Sequence, residues 1–518
     1  MIFTRDLIAH AARNFRAKTA FIDDQRKASW QEMHQRSDAL ASAMQNLGVQ
    51  KGDKSAILSF DRTETLEHFF ACAKLGAVRV GVNRGYAFRE ILHVIHDANA
   101  KTLFVEAPLL PLLGQELTTL REEGIIIIGI GTEHGLPLDY DDLLQSNRAP
   151  ALPLLLPNDE IMLSYTSGTT GLPKGVILSQ QGVYTHIVYT ALAAEMGYAD
   201  VWYNPTAMAW VTILLNLLGL VNGMTSVLPG TGFDADRYLD AIGQYKVTRG
   251  ILAPIMLSRV LQAYKNKPRD TSSFKSILLG SSPSTLPLMI DAFETFKVPV
   301  CQWYAMTETS WGALSSLRPE EMLENVEKNP ERLLSVGKPG IHVEISIKDE
   351  HGHEVPGGQV GEVWLKGEVL AKGYHQLPQE TAETFKDGWL RTNDLGRFDE
   401  EGYLYLVDRK KFLIISGGVN VYPSAVESAL AEHPKIREVT VIGIADAEWG
   451  QAVVAFIVPH EGSTLTEQEI IDFAKERLAR WEAPKQIVIC KELPRGPTQK
   501  VKKEALRHML EKPKQQSS

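Results

Sequence analysis

Short apolar runs rich in β-branched residues alternate along this chain with stretches whose apolar positions recur at helical spacing. Ser55-Ala56-Ile57-Leu58, Thr102-Leu103-Phe104-Val105 and residues 124–130 read as buried strands. Residues 37–47 and 89–97 carry the helical pattern between them. Alternation of this kind predicts parallel sheets covered by helices, an α/β fold. The texture changes over 336–406, where short strands are separated by Asp349-Glu350-His351-Gly352 and Pro356-Gly357-Gly358. Such punctuation predicts a small antiparallel or barrel-like element. The most apolar stretch, 210–228, is interrupted by Asn216, Gly219, Asn222 and Gly223. It predicts a buried helix and a following strand rather than a membrane span.

A charged turn, Asp408-Arg409-Lys410-Lys411, separates two apolar strands and opens an α+β pattern of small-domain size. Within it Thr466 and Glu469 predict a capping box, with Ile470, Ile471, Ala474, Leu478 and Trp481 on one helix face. The expected organisation is a large domain over 1–408, made of layered β/α subdomains plus the barrel-like element. A small, mobile α+β domain follows over 409–518, ending in a frayed tail from 512.

Composition narrows the function. A chain of 518 residues exceeds one hydrophobic core, and 44% hydrophobic with 23% charged residues is ordinary for a soluble protein. A net charge of −9 gives no reason to expect a nucleic-acid partner. Cys72, Cys301 and Cys490 are far apart, which predicts buried, inert thiols in a reducing compartment. No basic stretch leads into an apolar run at the start of the chain, so a cytoplasmic protein without integral membrane association is expected. A homodimer is compatible with this composition.

The strongest chemical signal is Tyr165-Thr166-Ser167-Gly168-Thr169-Thr170-Gly171-Leu172-Pro173-Lys174-Gly175, set between two apolar runs. Glycines let backbone approach a ligand, hydroxyls and amides donate hydrogen bonds, and lysine supplies a point charge, a combination suited to polyphosphate. It is not a Walker A loop, since GxxxxGK[ST] is missing.

With this loop the chain resembles the adenylate-forming enzymes: acyl-CoA synthetases, luciferases and peptide-synthetase adenylation domains. Further motifs follow in that family's order. Trp303-Tyr304-Ala305-Met306-Thr307-Glu308 is similar to its YGxTE motif, with Ala305 in place of glycine. The resemblance implies that Thr307 contacts the α-phosphate and that Glu308 holds Mg²⁺. Gly280-Ser281-Ser282-Pro283 resembles the segment facing adenine. In Gly388-Trp389-Leu390-Arg391-Thr392-Asn393-Asp394 the aspartate would accept from the ribose hydroxyls, with Asn393 standing for a glycine, and Arg409 matches a second ribose contact. Alone, either charge reads as solvated surface. Leu493-Pro494-Arg495-Gly496-Pro497-Thr498-Gln499-Lys500 resembles the segment bearing the catalytic lysine, which makes Lys500 that lysine and leaves Gln499 in a glycine's place. Ser416-Gly417-Gly418-Val419-Asn420-Val421-Tyr422-Pro423 resembles the stretch lining the pantetheine tunnel, and Glu427 the glutamate closing that motif. Lys411 matches the hinge.

The implied cofactors and substrates are ATP, Mg²⁺, coenzyme A and a small carboxylic acid, handled by adenylation and then thioester formation. Transfer to a carrier-protein pantetheine and a luciferase-like oxidation share the first step. An amino-acid-activating domain would need an aspartate near 204–210 for the ammonium group, and no acidic residue occurs from 204 to 221. A nucleotide-binding pseudoenzyme is opposed by the presence of Lys174, Glu308, Asp394 and Lys500. Ala207 and Met208 stand where many relatives carry an aromatic-histidine pair, so no histidine base is expected there. The acyl pocket would be lined by Met208, Trp210, Trp303, Ala305, Met306 and Trp311, which implies an uncharged, compact acid, aryl or medium-chain.

Overall fold

The computed structural model describes residues 2–145, 149–166, 172–446, 448–496 and 501–511, and these form two compact units. The first comprises Met1–Ser282, Ala292–Glu344 and Leu365–Leu390; the second comprises Pro283–Asp291, Ile345–Trp364 and Arg391–Ser518.

The first unit holds two large sheets. In the seven-stranded one, Ile126–Ile130, Ala100–Glu106, Lys54–Leu58, Val78–Gly81 and Glu160–Thr166 lie side by side and parallel. Lys174–Ser179 and Gly373–Tyr374 then extend it antiparallel. Strand alternation feeds two separate cores: Ala56, Leu58, Leu103 and Val105 enter one cluster, and Ile57 and Phe104 the other. That double burial is why these strands read as continuous apolar runs. The expected helices at 37–47 and 89–97 are present as Trp30–Asn46 and Phe88–Asp97. In the nine-stranded sheet, Thr19–Ile22, Thr225–Val227, Val201–Tyr203, Arg249–Leu252, Ser276–Leu279 and Val300–Tyr304 are parallel neighbours. The apolar 210–228 stretch becomes a buried 3₁₀ helix Val211–Leu217, a turn of helix Gly219–Asn222 and the strand Thr225–Val227.

In the second unit, Asp394–Phe398 of the strand Trp389–Phe398 pairs antiparallel with Leu404–Arg409, as the barrel-like element requires. A further sheet has the order Val419–Val421, Ile414–Ser416, Gly450–Pro459, Ile436–Asp446, with Gln486–Ile489 beside Gly450–Pro459. Val426, Leu430, Ile470 and Ala474 pack on one face of it, and Leu493 and Leu506 on the other.

Three expectations need correction. The helix after Thr466 ends at Arg477, so Leu478 lies outside it and Trp481 is 42% exposed. Only half of the capping box forms: Thr466 Oγ1 accepts from the Glu469 N–H, while the Glu469 carboxylate turns to Lys435 at 2.8 Å. A lysine within reach offers the carboxylate a charged partner that the backbone amide does not. Cys72 and Cys301 are buried, and burial pushes the Cys72 thiol up to about 12, but Cys490 is only partly buried.

Candidate active site

In parallel sheets of α/β proteins, ligands settle beyond the carboxyl ends of the strands. Apart from Trp303, which lies within its strand, the described nucleotide and acyl residues expected in the first unit sit at those ends or one loop further. Thr166 ends Glu160–Thr166, Gly280 follows Ser276–Leu279, Tyr304 ends Val300–Tyr304, and the 204–210 segment follows Val201–Tyr203. Ser167, Gly168, Thr169 and Thr170 lie outside the described residues, as does Lys500. The stem of their loop is a β-hairpin in which Thr166 pairs with Lys174 and Tyr165 with Gly175. The helix Phe88–Asp97 braces this stem: Tyr165 donates to Asp97 at 2.6 Å, and His93 Nε2 meets the Pro173 carbonyl at 2.9 Å.

Thr307 and Glu308 occupy a 3₁₀ turn that begins after Ala305 and Met306, which follow the strand Val300–Tyr304. The Glu308 carboxylate is half-buried and accepts from the Tyr374 hydroxyl at 3.0 Å, while the Ala371 N–H donates to the Glu308 carbonyl at 2.7 Å. Burial and the nearby carboxylate push the Tyr374 phenol up, so it remains a donor across the working pH range. Lys174 is ion-paired with Glu380.

Trp311 presses on Gly280: a Cβ there would lie 3.0 Å from Trp311 Cη2 and 3.4 Å from Ile251 Cδ1. Both Ser310 and Trp311 have positive φ, 52° and 57°, a strained arrangement for side-chain-bearing residues that concentrates at functional sites. Trp303 is buried on its strand, and Ala305 and Met306 are half-buried. Trp210 Nε1 donates to the Tyr86 hydroxyl at 3.4 Å, and Tyr86 reaches the Tyr165 carbonyl at the same distance, which links this segment to the end of the strand Glu160–Thr166. Met208 is fully buried, and its peptide is gripped from both sides. Its N–H donates to Asp61 Oδ1 at 2.6 Å, and its carbonyl accepts from Arg79 Nη2 at 2.7 Å. Burial lowers the Arg79 guanidinium to about 10 and raises the Asp61 carboxyl.

In the second unit Asp394 and Arg409 face each other across an antiparallel pair, with Arg409 Nε 3.0 Å from Asp394 Oδ1. Asn393 has φ of 58°, a left-handed conformation that asparagine tolerates and that accounts for glycine at this position in the motif. Gly417 and Gly418, at φ 59° and 78°, form the two-residue turn between Ile414–Ser416 and Val419–Val421, as a type I′ hairpin demands. The Trp449 ring approaches to 3.2 Å of where a Gly417 Cβ would stand. Glu427 accepts from the Val441 N–H at 2.7 Å and pairs with Lys503 at 3.0 Å. Lys411 lies exposed in the 3₁₀ turn Lys410–Phe412.

Motif reading missed Tyr374, Glu380, Asp61, Arg79 and Tyr86. Arg79 left a trace, being a charge inside the apolar strand Val78–Gly81, where an unpaired ion is costly. Tyr374 and Glu380 left none.

A family model described as AMP-binding enzyme matches residues 8–375, and one described as AMP-binding enzyme C-terminal domain matches 425–500. The chain belongs to the AMP-binding enzymes. It is 32% identical over 505 residues to an indoleacetate–CoA ligase of Aromatoleum aromaticum, covering 95% of each chain. It is 32% identical over 496 residues to a 2-succinylbenzoate–CoA ligase of Bacillus licheniformis, covering 95% of this chain and 96% of that one. Among solved structures, the o-succinylbenzoate CoA synthetase of Bacillus subtilis in complex with its acyl-adenylate intermediate matches with a TM-score of 0.82, 30% identity and 97% of both chains. That synthetase is also known in complex with ATP and magnesium ion, at a TM-score of 0.81. In this AMP-binding enzyme no helix among the described residues is long and apolar enough to cross a membrane.

Proposed function

We propose that this AMP-binding enzyme is an ATP-dependent carboxylate–CoA ligase, which makes an acyl-adenylate and then an acyl-CoA thioester, releasing pyrophosphate and AMP. The observation that supports this most is that kinship to CoA ligases runs over 95% of the chain, through both matched domains.

In the first half-reaction a carboxylate oxygen attacks the α-phosphorus of ATP and pyrophosphate leaves. Two anions must meet, so the protein's work is positioning and charge neutralisation. The loop from Thr166 to Lys174 holds the polyphosphate, Thr307 the α-phosphate, and Lys500 the carboxylate–phosphate pair. Gly280, Ser281, Ser282 and Tyr304 surround the adenine side, and Asp394 with Arg409 receives the ribose. Glu308 fits magnesium, since its carboxylate is partly accessible and Mg²⁺ is commonly held by one or two carboxylates plus substrate phosphates. The ion supplies neutralisation of phosphate charge when bound.

In the second half-reaction the CoA thiolate attacks the acyl carbonyl and AMP departs. The Gly417–Gly418 turn, which carries no side chain of its own, borders the path of the pantetheine arm. A small domain from 409 carries both Lys500 and this turn, so it must rotate between steps, with Lys411 as hinge. The acid is compact and uncharged, aryl or medium-chain, because Trp303 and Trp311 are buried and Trp311 closes on Gly280. The reaction belongs in the cytoplasm, where ATP and CoA are supplied.

ATP–pyrophosphate exchange over a panel of aryl and medium-chain acids, followed by addition of CoA, tests this reading. Acid-dependent exchange with thioester appearing only with CoA is expected. Exchange without thioester would redirect it to another acceptor.

A further inference from the structure

The two proposed ATP-facing charges, Glu308 and Lys174, are each held by one short segment that no motif singled out. Residues 371–375 lie along the strand that leaves the phosphate loop: Gly373 pairs with Ile177, Tyr374 with Val176, and the His375 N–H donates to the Gly175 carbonyl at 2.7 Å. The helix Pro378–Thr384 folds directly back on this strand. A Cβ on Gly373 would lie 2.3 Å from Thr381 Cγ2, and the Tyr374 N–H donates to Thr381 Oγ1 at 2.9 Å. With the helix docked so closely, Glu380 reaches the Lys174 ammonium and forms an ion pair with it.

We propose that Glu380 is a resident anion that competes with ATP, holding the Lys174 ammonium until the polyphosphate displaces it. This rests on the ligase reading of Lys174. The chemistry favours exchange over permanent pairing. Side-chain exposures of 24% for Lys174 and 39% for Glu380 leave the pair in contact with water, where ion pairs are weak. A polyphosphate brings several negative charges to the Lys174 ammonium and outcompetes one carboxylate. Between turnovers Glu380 keeps the lysine near the loop stem, opposite Thr166. It also competes with the incoming nucleotide.

The experiment is calorimetric binding of MgATP to the full-length protein, with steady-state KM values for ATP and acid. Glu380→Gln removes the competing charge and is expected to tighten ATP about two- to fivefold, the range of exposed ion pairs, with KM for the acid unchanged. Glu383→Gln, an exposed carboxylate on the same helix that accepts from Gln379, controls for general charge effects and is expected to leave ATP affinity as it is. In a Lys174→Met background Glu380→Gln should have no effect. Weaker or unchanged ATP binding in Glu380→Gln, an equal shift in Glu383→Gln, or an effect that survives Lys174→Met would each overturn the proposal. Lys174→Met with undiminished ATP affinity would overturn the underlying assignment of Lys174 as well.

Discussion

The Tyr374 hydroxyl donates a 3.0 Å hydrogen bond to Glu308 Oε1, so the carboxylate proposed to meet magnesium is aimed by a residue far away in sequence. Hydrogen bonds to charged groups are worth about 1.5–3 kcal/mol. Tyr374→Phe should therefore raise KM for MgATP by about tenfold or more, and shift the magnesium activation curve to higher concentration. KM for the acid should hold. Loss confined to thermal stability would make the contact structural.

Lys500→Ala should abolish adenylation while sparing thioester formation from supplied acyl-adenylate. Its ammonium is proposed to act only where carboxylate and α-phosphate meet, and one preorganised charge there is worth a factor of about 10²–10³. Assaying the two half-reactions separately checks this. Equal loss in both would assign Lys500 a structural role.

Trp311→Ala should open space beside Gly280 and move preference toward longer or wider acids. Each methylene newly buried is worth about 0.8 kcal/mol, or roughly fourfold in kcat/KM. The cavity will cost stability, about 3–5 kcal/mol for a buried aromatic. A chain-length series against a matched Trp303→Ala variant tells pocket from core. If neither profile moves, both tryptophans are core.

Acid should destabilise the protein through His186. Its ring is fully buried, and burial lowers its pKa to about 4. Above pH 6.5 the ring is neutral folded and unfolded, and adds no pH dependence. Between 6.5 and 4 the unfolded chain takes a proton that the folded one refuses, so stability falls as pH drops, by about 2 kcal/mol at pH 5. Urea midpoints at pH 7.5 and 5 in His186→Phe should lose that share of the slope. An unchanged slope would place the acid sensitivity elsewhere.

Lys411→Pro should leave pyrophosphate exchange intact and cut thioester formation by orders of magnitude. The residue sits in a 3₁₀ turn, whose φ is close to the −65° that proline imposes. The ring is thus tolerated in the turn as it stands and forbids the torsion that a second arrangement needs. Survival of both half-reactions would move the hinge away from Lys411.

Local chemistry by itself settled much of this protein. Runs such as Leu103-Phe104-Val105 read as buried strands from their apolar pattern, and the structure covers them on both faces. At Gly417-Gly418 the structure added a tight turn that the motif reading had not named, at positive φ twice in succession. Tertiary structure decided what depends on distant segments meeting. No sequence rule brings Tyr374 to Glu308, Glu380 to Lys174, or Asp61 and Arg79 to the two ends of the Met208 peptide. These contacts arise from strand order in the sheets and from a helix folded back over Gly373. The half-formed cap at Thr466 has the same origin. Its local pattern was complete, but Lys435, brought close by the fold, offered Glu469 a charge in place of a backbone amide. Short-range patterns record the preferences of neighbours in the chain, whereas a carboxylate chooses among all partners that folding places within reach.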